Sequence, residues 1–324
     1  MAMRHLFRRQ LALVPVALLA SMLPAPAQQY PTRPIHVLVP FTPGGTPEIV
    51  ARIVGAAIEK SLGQPVIVES RPGANGIIGT KDVAVADPDG YTLLQTPPAF
   101  VINPYVHKTL PYDIFRDFAP IANAGISRGY FLLVRPTLPV HTVAELIDYA
   151  KTHRVLYGSP GIGNTLHLAA ALFGAEAGIP MENVVFRDNG PMITALLAGT
   201  IDLVFQSPAS ASGLLGAGMR AIGFTGTAPS PDLPNVPLVN DAVPGLEIAG
   251  SWEGWLAPAK TPQSIIDRLN AEVRAAVKVP SVRAGIEQAG YDPSDMSPAE
   301  FGAFLHIEAE RYAKAVTAAK IVPE

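Results

Sequence analysis

Twice in this chain, 120 residues apart, an apolar run rich in β-branched residues breaks into a glycine-bearing loop that opens a helical pattern: IHVLVPFTPGGTPEIVARIV from Ile35 and VLYGSPGIGNTLHLAAALF from Val155. A strand feeding a helix through a short loop is the unit from which helix-covered parallel sheets are built, and ligands of such sheets gather at the carboxyl ends of the strands. Both loops fall at such an end. Each also aims unpaired backbone N–H groups and the positive end of a helix dipole at one spot, which holds an anion without a metal or a catalytic side chain. Two such spots predict two lobes gripping one anionic ligand.

Residues 1–27 are expected to be a signal peptide. Arg4, Arg8 and Arg9 form a basic head, Leu11 to Leu23 is apolar, and Ala25-Pro26-Ala27 offers a small-residue cleavage site. No later stretch supplies the ~18 uninterrupted apolar residues of a membrane span, so the mature chain is expected to be soluble, not inserted in a membrane, and located in the periplasm. Removing the leader and its three arginines leaves 297 of 324 residues, 21 of 24 basic side chains and all 27 acidic ones. A net charge near −6 without a basic cluster argues against nucleic acid as a partner. Cysteine is absent, which excludes disulfides, a thiolate nucleophile and zinc–thiolate sites.

Strand and helix patterns alternate along the mature chain. Strands are expected at 35–39, 66–70, 92–95, 130–134, 155–158, 184–186, 203–205, 221–225 and 251–257, and helices at 47–62, 77–86, 142–152, 165–177, 190–198, 263–277 and 298–319, with a loop-rich stretch after Gln95. The fold class is therefore α/β, two lobes each built on a mostly parallel sheet flanked by helices. The 33 prolines punctuate loops and form no single linker, which suits a chain that crosses to a second lobe and returns. The crossings are expected near Gly125–Phe131 and Leu246–Trp255. Lobe 1 then comprises 28–126 and 250–324, and lobe 2 comprises 127–249.

Enzymatic motifs fit poorly. Gly125-Ile126-Ser127-Arg128-Gly129 matches G-x-S-x-G, but a nucleophile elbow needs a helix after the serine, and here the β-type run YFLLV follows. Gly161-Ile162-Gly163 begins a dinucleotide fingerprint whose third glycine position holds Leu166. An exported hydrolase using Ser127 or Ser159 stays as the competing class. The histidines are scattered, without an H-x-x-x-H pair, so no metal and no cofactor is expected. His167 differs, lying in the first turn after Asn164-Thr165; capping or packing is its plainer role.

Thr32-Arg33-Pro34-Ile35 leading into VPFTPGG, then LGQPVIVESRPGANGIIG, DPDGYTLL, INPYV, LPYDIFRDFAPI and, late, WEGWLAPAKTP with IIDRLNAEV resemble the Bug family of extracytoplasmic solute receptors, the substrate-binding proteins of tripartite tricarboxylate transporters. The resemblance runs in order from Tyr30 to the C-terminus. It implies a two-lobed periplasmic binding protein of type II that closes on its solute as a monomer, performs no catalysis and serves the membrane subunits of such a transporter. A sensor-kinase ectodomain is the alternative partner.

By the same resemblance a ligand carboxylate is held by Phe41, Thr42, Pro43, Gly44, Gly45 and Thr46 in lobe 1 and by Ser159, Gly161, Gly163, Asn164, Thr165 and His167 in lobe 2. Pro47 and Glu48 stand where the family usually has Thr or Ser and then Asp, and Glu48 puts a negative charge where the helix dipole favours one. Such a charge repels an anion unless it points away, or else recognises a donor group on the ligand. Gln206 replaces an Asp often found there, which weakens the argument for an amino-acid ligand. Arg128 and Arg187 are candidates for a second carboxylate because guanidinium forks match carboxylates. Thr96 and Pro97 are expected to line the cleft, with Phe41, Phe186 and Phe205 making it apolar. The expected solute is a small mono- or dicarboxylate, aromatic or aliphatic.

Overall fold

A computed structural model of the protein describes residues 30–323 except 188, 247 and 249. The leader expected over 1–27 lies outside the described residues. The chain first lays down β1 (Ile35–Val39), α1 (Thr46–Leu62), β2 (Val66–Ser70), α2 (Ile77–Ala84), β3 (Thr92–Thr96), α3 (Ala99–Val106) and β4 (Phe118–Ser127). It then builds β5 (Phe131–Val134), α4 (Val143–Ala150), β6 (Val155–Ser159), α5 (Thr165–Glu176), β7 (Met181–Val185), α6 (Asn189–Leu197), β8 (Leu203–Gln206), α7 (Pro208–Leu215) and β9 (Arg220–Phe224). It returns through β10 (Trp252–Pro258), α8 (Gln263–Ala276), α9 (Pro280–Gln288), β11 (Tyr291–Pro293) and α10 (Pro298–Ala318).

Two sheets result, ordered β11-β4-β10-β3-β1-β2 and β7-β6-β8-β5-β9. Each is mixed, which corrects the mostly parallel expectation. In the first sheet β1 pairs parallel with β2 and β3, whereas β10 runs antiparallel to both β3 and β4. In the second, β6 pairs parallel with β7 and β8, and β5 runs antiparallel to β8 and β9. The cause is the crossing itself. β5 and β10 each enter a sheet from the seam between the lobes, at the edge where the parallel strands end, so they must run the other way.

Helices cover both faces of each sheet. In α1, Val50, Ala51, Val54, Ile58 and Leu62 recur at helical spacing and are buried against β1, β2 and β3, a stripe that packing converts into stability. Gly63 ends that helix in the left-handed region at φ 67°, its N–H on the Glu59 carbonyl. The opposite face of the first sheet holds Phe100, Trp252, Phe301 and Tyr312, and α10 runs on until Ala315 joins the core under the second sheet. Helix α3, with Pro104 inside it, occupies part of the stretch read as loop-rich.

Candidate ligand-binding cleft

The first glycine loop links β1 to α1. Gly44 sits at φ 81°, a conformation that favours glycine, and Gly45 is the N-cap in extended geometry. The helix then begins without a side-chain cap from its N-cap residue. Glu48 supplies what is missing: its Oε2 accepts the Gly44 N–H at 2.6 Å and its Oε1 accepts Arg52 Nε at 2.9 Å. The amide bond and then the Arg52 guanidinium hold the buried Glu48 carboxyl below the usual carboxylate range. Thr42 and Pro43 are exposed, while Phe41, Gly45 and Thr46 are half-buried.

The second loop links β6 to α5 and is capped differently. Asn164 is the N-cap, and its Oδ1 accepts the Leu166 N–H at 2.9 Å, as short polar side chains do at this position. Gly161 and Gly163 have φ of 128° and 74°. His167, one turn into the helix, is buried beside Tyr157, and its Nδ1 accepts the Gly163 N–H at 3.2 Å. That bond places the imidazole proton on Nε2, and burial pushes the pKa down to about 4, so the ring is neutral at pH 7. Ser159, at the end of β6, donates its Oγ–H to Asn183 Oδ1 at 2.8 Å.

The two loops approach each other around the turn Gly73–Gly76. This turn has four successive positive φ values, including Ala74 at 47° and Asn75 at 50°. Asn75 Nδ2 donates to Asn103 Oδ1 at 2.9 Å and Asn103 Nδ2 donates back to the Asn75 carbonyl at 3.1 Å, which holds the turn on α3. A Cβ at Gly76 would lie 3.1 Å from Phe41 Cζ, and one at Gly163 would lie 2.5 Å from Val106 Cγ2 and 3.5 Å from Asn75 Nδ2. One face of the turn therefore backs the first loop and another receives the second. Asn75, Asn103 and Val106 escaped sequence reasoning as site residues, although the P-G-A-N-G run in RPGANG was the available signal for a positive-φ turn.

Two segments cross between the sheets side by side. Ser127 N–H donates to the Ser251 carbonyl at 2.7 Å, Tyr130 N–H to Thr225 Oγ1 at 2.8 Å, and Thr225 N–H to the Tyr130 carbonyl at 2.9 Å. Gly129 and Gly250 make the close approach feasible, since a Cβ there would lie 2.6 Å from Gly226 N and 2.2 Å from the Ser127 carbonyl oxygen. Ser127 is thus a strand-ending residue whose Oγ–H donates to the Gly129 carbonyl at 3.1 Å, the reverse of a nucleophile elbow.

The remaining predicted residues divide. Thr96, buried, and Pro97, half-buried, end β3 at the seam. Gln206, also buried, donates Nε2–H to Asn189 Oδ1 at 2.8 Å. Arg128 is bound to Asp292 through Nε at 2.9 Å, so its fork is already engaged, and Arg187 is exposed just beyond β7. Among the described residues no group of three or more His, Cys, Asp and Glu side chains is placed to hold a metal ion, and no helix is long and apolar enough to cross a membrane.

Two mixed α/β lobes joined by paired crossing segments, each lobe presenting a glycine loop and a helix N-terminus to the seam, define a two-lobed solute-binding protein. Residues 50–320 match the family described as tripartite tricarboxylate transporter family receptor, and the chain belongs to that family of periplasmic solute receptors. Its fold is shared with the Rhodopseudomonas palustris protein Rpa4515 solved with adipate, at TM-score 0.85 and 32% identity, covering 91% of this chain and all of that one. The periplasmic binding protein BugD superposes at TM-score 0.82 with 26% identity over 91% of this chain and all of its own. MatC from Rhodopseudomonas palustris, solved with malate, gives TM-score 0.79 and 28% identity over 89% of this chain and all of that chain.

Proposed function

We propose that this receptor captures a small mono- or dicarboxylate between its lobes and delivers it to the membrane subunits of a tripartite tricarboxylate-type transporter. The observation that carries the reading is the seating of the Gly163 loop against the same turn that backs Phe41 and the first loop. Two helix N-termini approach one seam, and a helix N-terminus favours negative charge.

In this reading the second loop, from Ser159 to Thr165, takes the carboxylate through backbone N–H groups at the start of α5. The neutral His167 shapes that loop and adds no charge. On the first lobe Glu48 serves the protein and not the solute, being turned onto Gly44 and Arg52. The solute's second end therefore meets Thr42, Gly45 and Thr46, with Thr96 and Pro97 beneath. We assign a second carboxylate to Arg187, which is exposed just beyond β7, and not to Arg128, because Asp292 holds it.

Adipate in Rpa4515 and malate in MatC support a dicarboxylate of modest length. A thermal-shift panel of adipate, malate, benzoate and citrate tests the class. A ligand at about 100 times its Kd stabilises the native state by ~2.7 kcal/mol, enough to raise the melting point by several degrees. Stabilisation by citrate alone refutes the proposal.

A further inference from the structure

The seam contains a buried polar chain that solute capture through the glycine loops does not use. Glu253 of β10 and Gln95 of β3 are both fully buried, and Gln95 Nε2 donates to Glu253 Oε2. Their other oxygens, Gln95 Oε1 and Glu253 Oε1, have no hydrogen-bond partner. From β11 the buried Tyr291 hydroxyl reaches Glu253 and Ser251. The Tyr130 hydroxyl, just past the first crossing, lies toward Ser251 and toward Thr165 at the start of α5 but makes no hydrogen bond to either. Buried polar groups thus succeed one another from the end of β3, across both crossing segments, to the helix that carries the second loop, with the Gln95–Glu253 hydrogen bond at one end and the unpaired Tyr130 hydroxyl at the other.

The titratable groups facing this carboxyl are Tyr291 and Tyr130, with Glu308 and Tyr312 of α10 beyond them. Glu308 lies 2.9 Å from Arg311 and Arg128 is paired with Asp292, and the side chains that act on Glu253 are the uncharged Tyr291 and Gln95. A bare carboxylate here is strongly disfavoured, and its Oε1 is left without a partner. A proton on Glu253 removes the charge and supplies a donor. Burial raises its pKa to about 8.

We propose that Glu253 is a proton-holding hinge acid: the lobes close in its neutral form, and loss of the proton opens the seam so that water hydrates the carboxylate. Its consequence for transport rests on the receptor reading above, since a closed cleft at moderate pH that loosens in alkali makes solute affinity pH-dependent.

The test needs no knowledge of the solute. Trp252 and Trp255, the two tryptophans of the chain, flank Glu253 in β10 and are fully buried in the cores on either face of the first sheet, so their fluorescence reports on water reaching this strand. Ligand-free protein is titrated from about pH 6 to about pH 9.5 by fluorescence and small-angle X-ray scattering. Expected is a red shift with a larger radius of gyration, centred near pH 8, and neither change in Glu253→Gln, which is neutral throughout. A wild-type profile that is flat, or a transition that persists in Glu253→Gln, overturns the proposal.

If the variant fails to fold, urea denaturation of the wild type decides: the folded state holds the proton longer than the unfolded chain, so above about pH 6.5, where His167 no longer titrates in either state, stability falls as pH rises to about 8 and then levels. A stability that does not fall across that window refutes it. With adipate as probe, wild-type affinity drops by up to about tenfold per pH unit above the transition, and that of Glu253→Gln does not. An intact transition without any adipate binding counts against the carboxylate reading and leaves the hinge acid standing.

Discussion

The carboxylate of Glu48 accepts the N–H of Gly44 at 2.6 Å, bending a side chain from the first turn of α1 back onto the loop before it. The sequence presents this charge as a possible obstacle to an anion. The structure makes it a cap for a helix whose N-cap residue, a glycine, has no side chain to offer.

Glu48→Ala is therefore expected to cost about 1–2 kcal/mol, the range for losing a helix cap, measured by urea denaturation at neutral pH. Glu48→Gln keeps an acceptor for Gly44 and loses only the charge shared with Arg52, so it should cost less. The carboxyl is more acidic when folded, so its contribution is present above the unfolded pKa near 4.5 and disappears as pH falls through the folded value. An alanine variant as stable as wild type would remove the capping role.

Gly163 is fixed by its neighbours as well as its backbone. At φ 74°, and with a Cβ destined to lie 2.5 Å from Val106 Cγ2, alanine is strained on both counts. Gly163→Ala should weaken binding of adipate or the best-fitting acid at least tenfold in calorimetry by keeping the second loop off its seat. Adding Val106→Ala, which deletes the obstructing methyl, should recover part of the loss. If the double variant binds no better than the single one, contact with Val106 does not govern seating.

The α/β alternation was legible because strand and helix periodicity are local properties: the β1–α1 and β6–α5 units stand where their patterns begin. Sheet polarity was not, since the antiparallel setting of β5 and β10 follows from where the chain crosses, which no local window records. Helix α3 was hidden by Pro97, Pro98 and Pro104, residues that punctuate loops on average but here start and interrupt a helix buried under α10. Glu48 and Arg128 were visible as charges, yet their partners, Gly44 and Asp292, are matters of geometry. Glu253 went unremarked because a lone glutamate in an apolar run signals nothing until its burial is known.

Arg128 and Asp292 form a half-exposed pair between the first crossing and β11. Such pairs contribute about 1 kcal/mol or less. Arg128→Gln and Asp292→Asn should each destabilise by no more than that, and the double variant should cost less than the sum of the two. Solute affinity should change little in all three. A loss of about a hundredfold in Arg128→Gln with none in Asp292→Asn would show that the guanidinium leaves Asp292 for the ligand.

His167 gives a pH signature opposite in sign to that of Glu253. Its folded pKa, lowered to about 4 by burial, lies below the unfolded value near 6.5, so the unfolded chain takes up the proton first as pH falls. The stability it supports is complete above about pH 6.5 and is lost progressively toward pH 4, by on the order of 3 kcal/mol. His167→Asn keeps an acceptor where Nδ1 receives the Gly163 N–H but does not titrate. Subtracting the variant's denaturation curve from the wild type's at each pH isolates the imidazole, because the falling stability caused by Glu253 is common to both. The difference should shrink steadily from pH 6.5 to pH 4. A difference independent of pH would mean that the ring is hydrated in the folded protein and that the second loop is not closed over it.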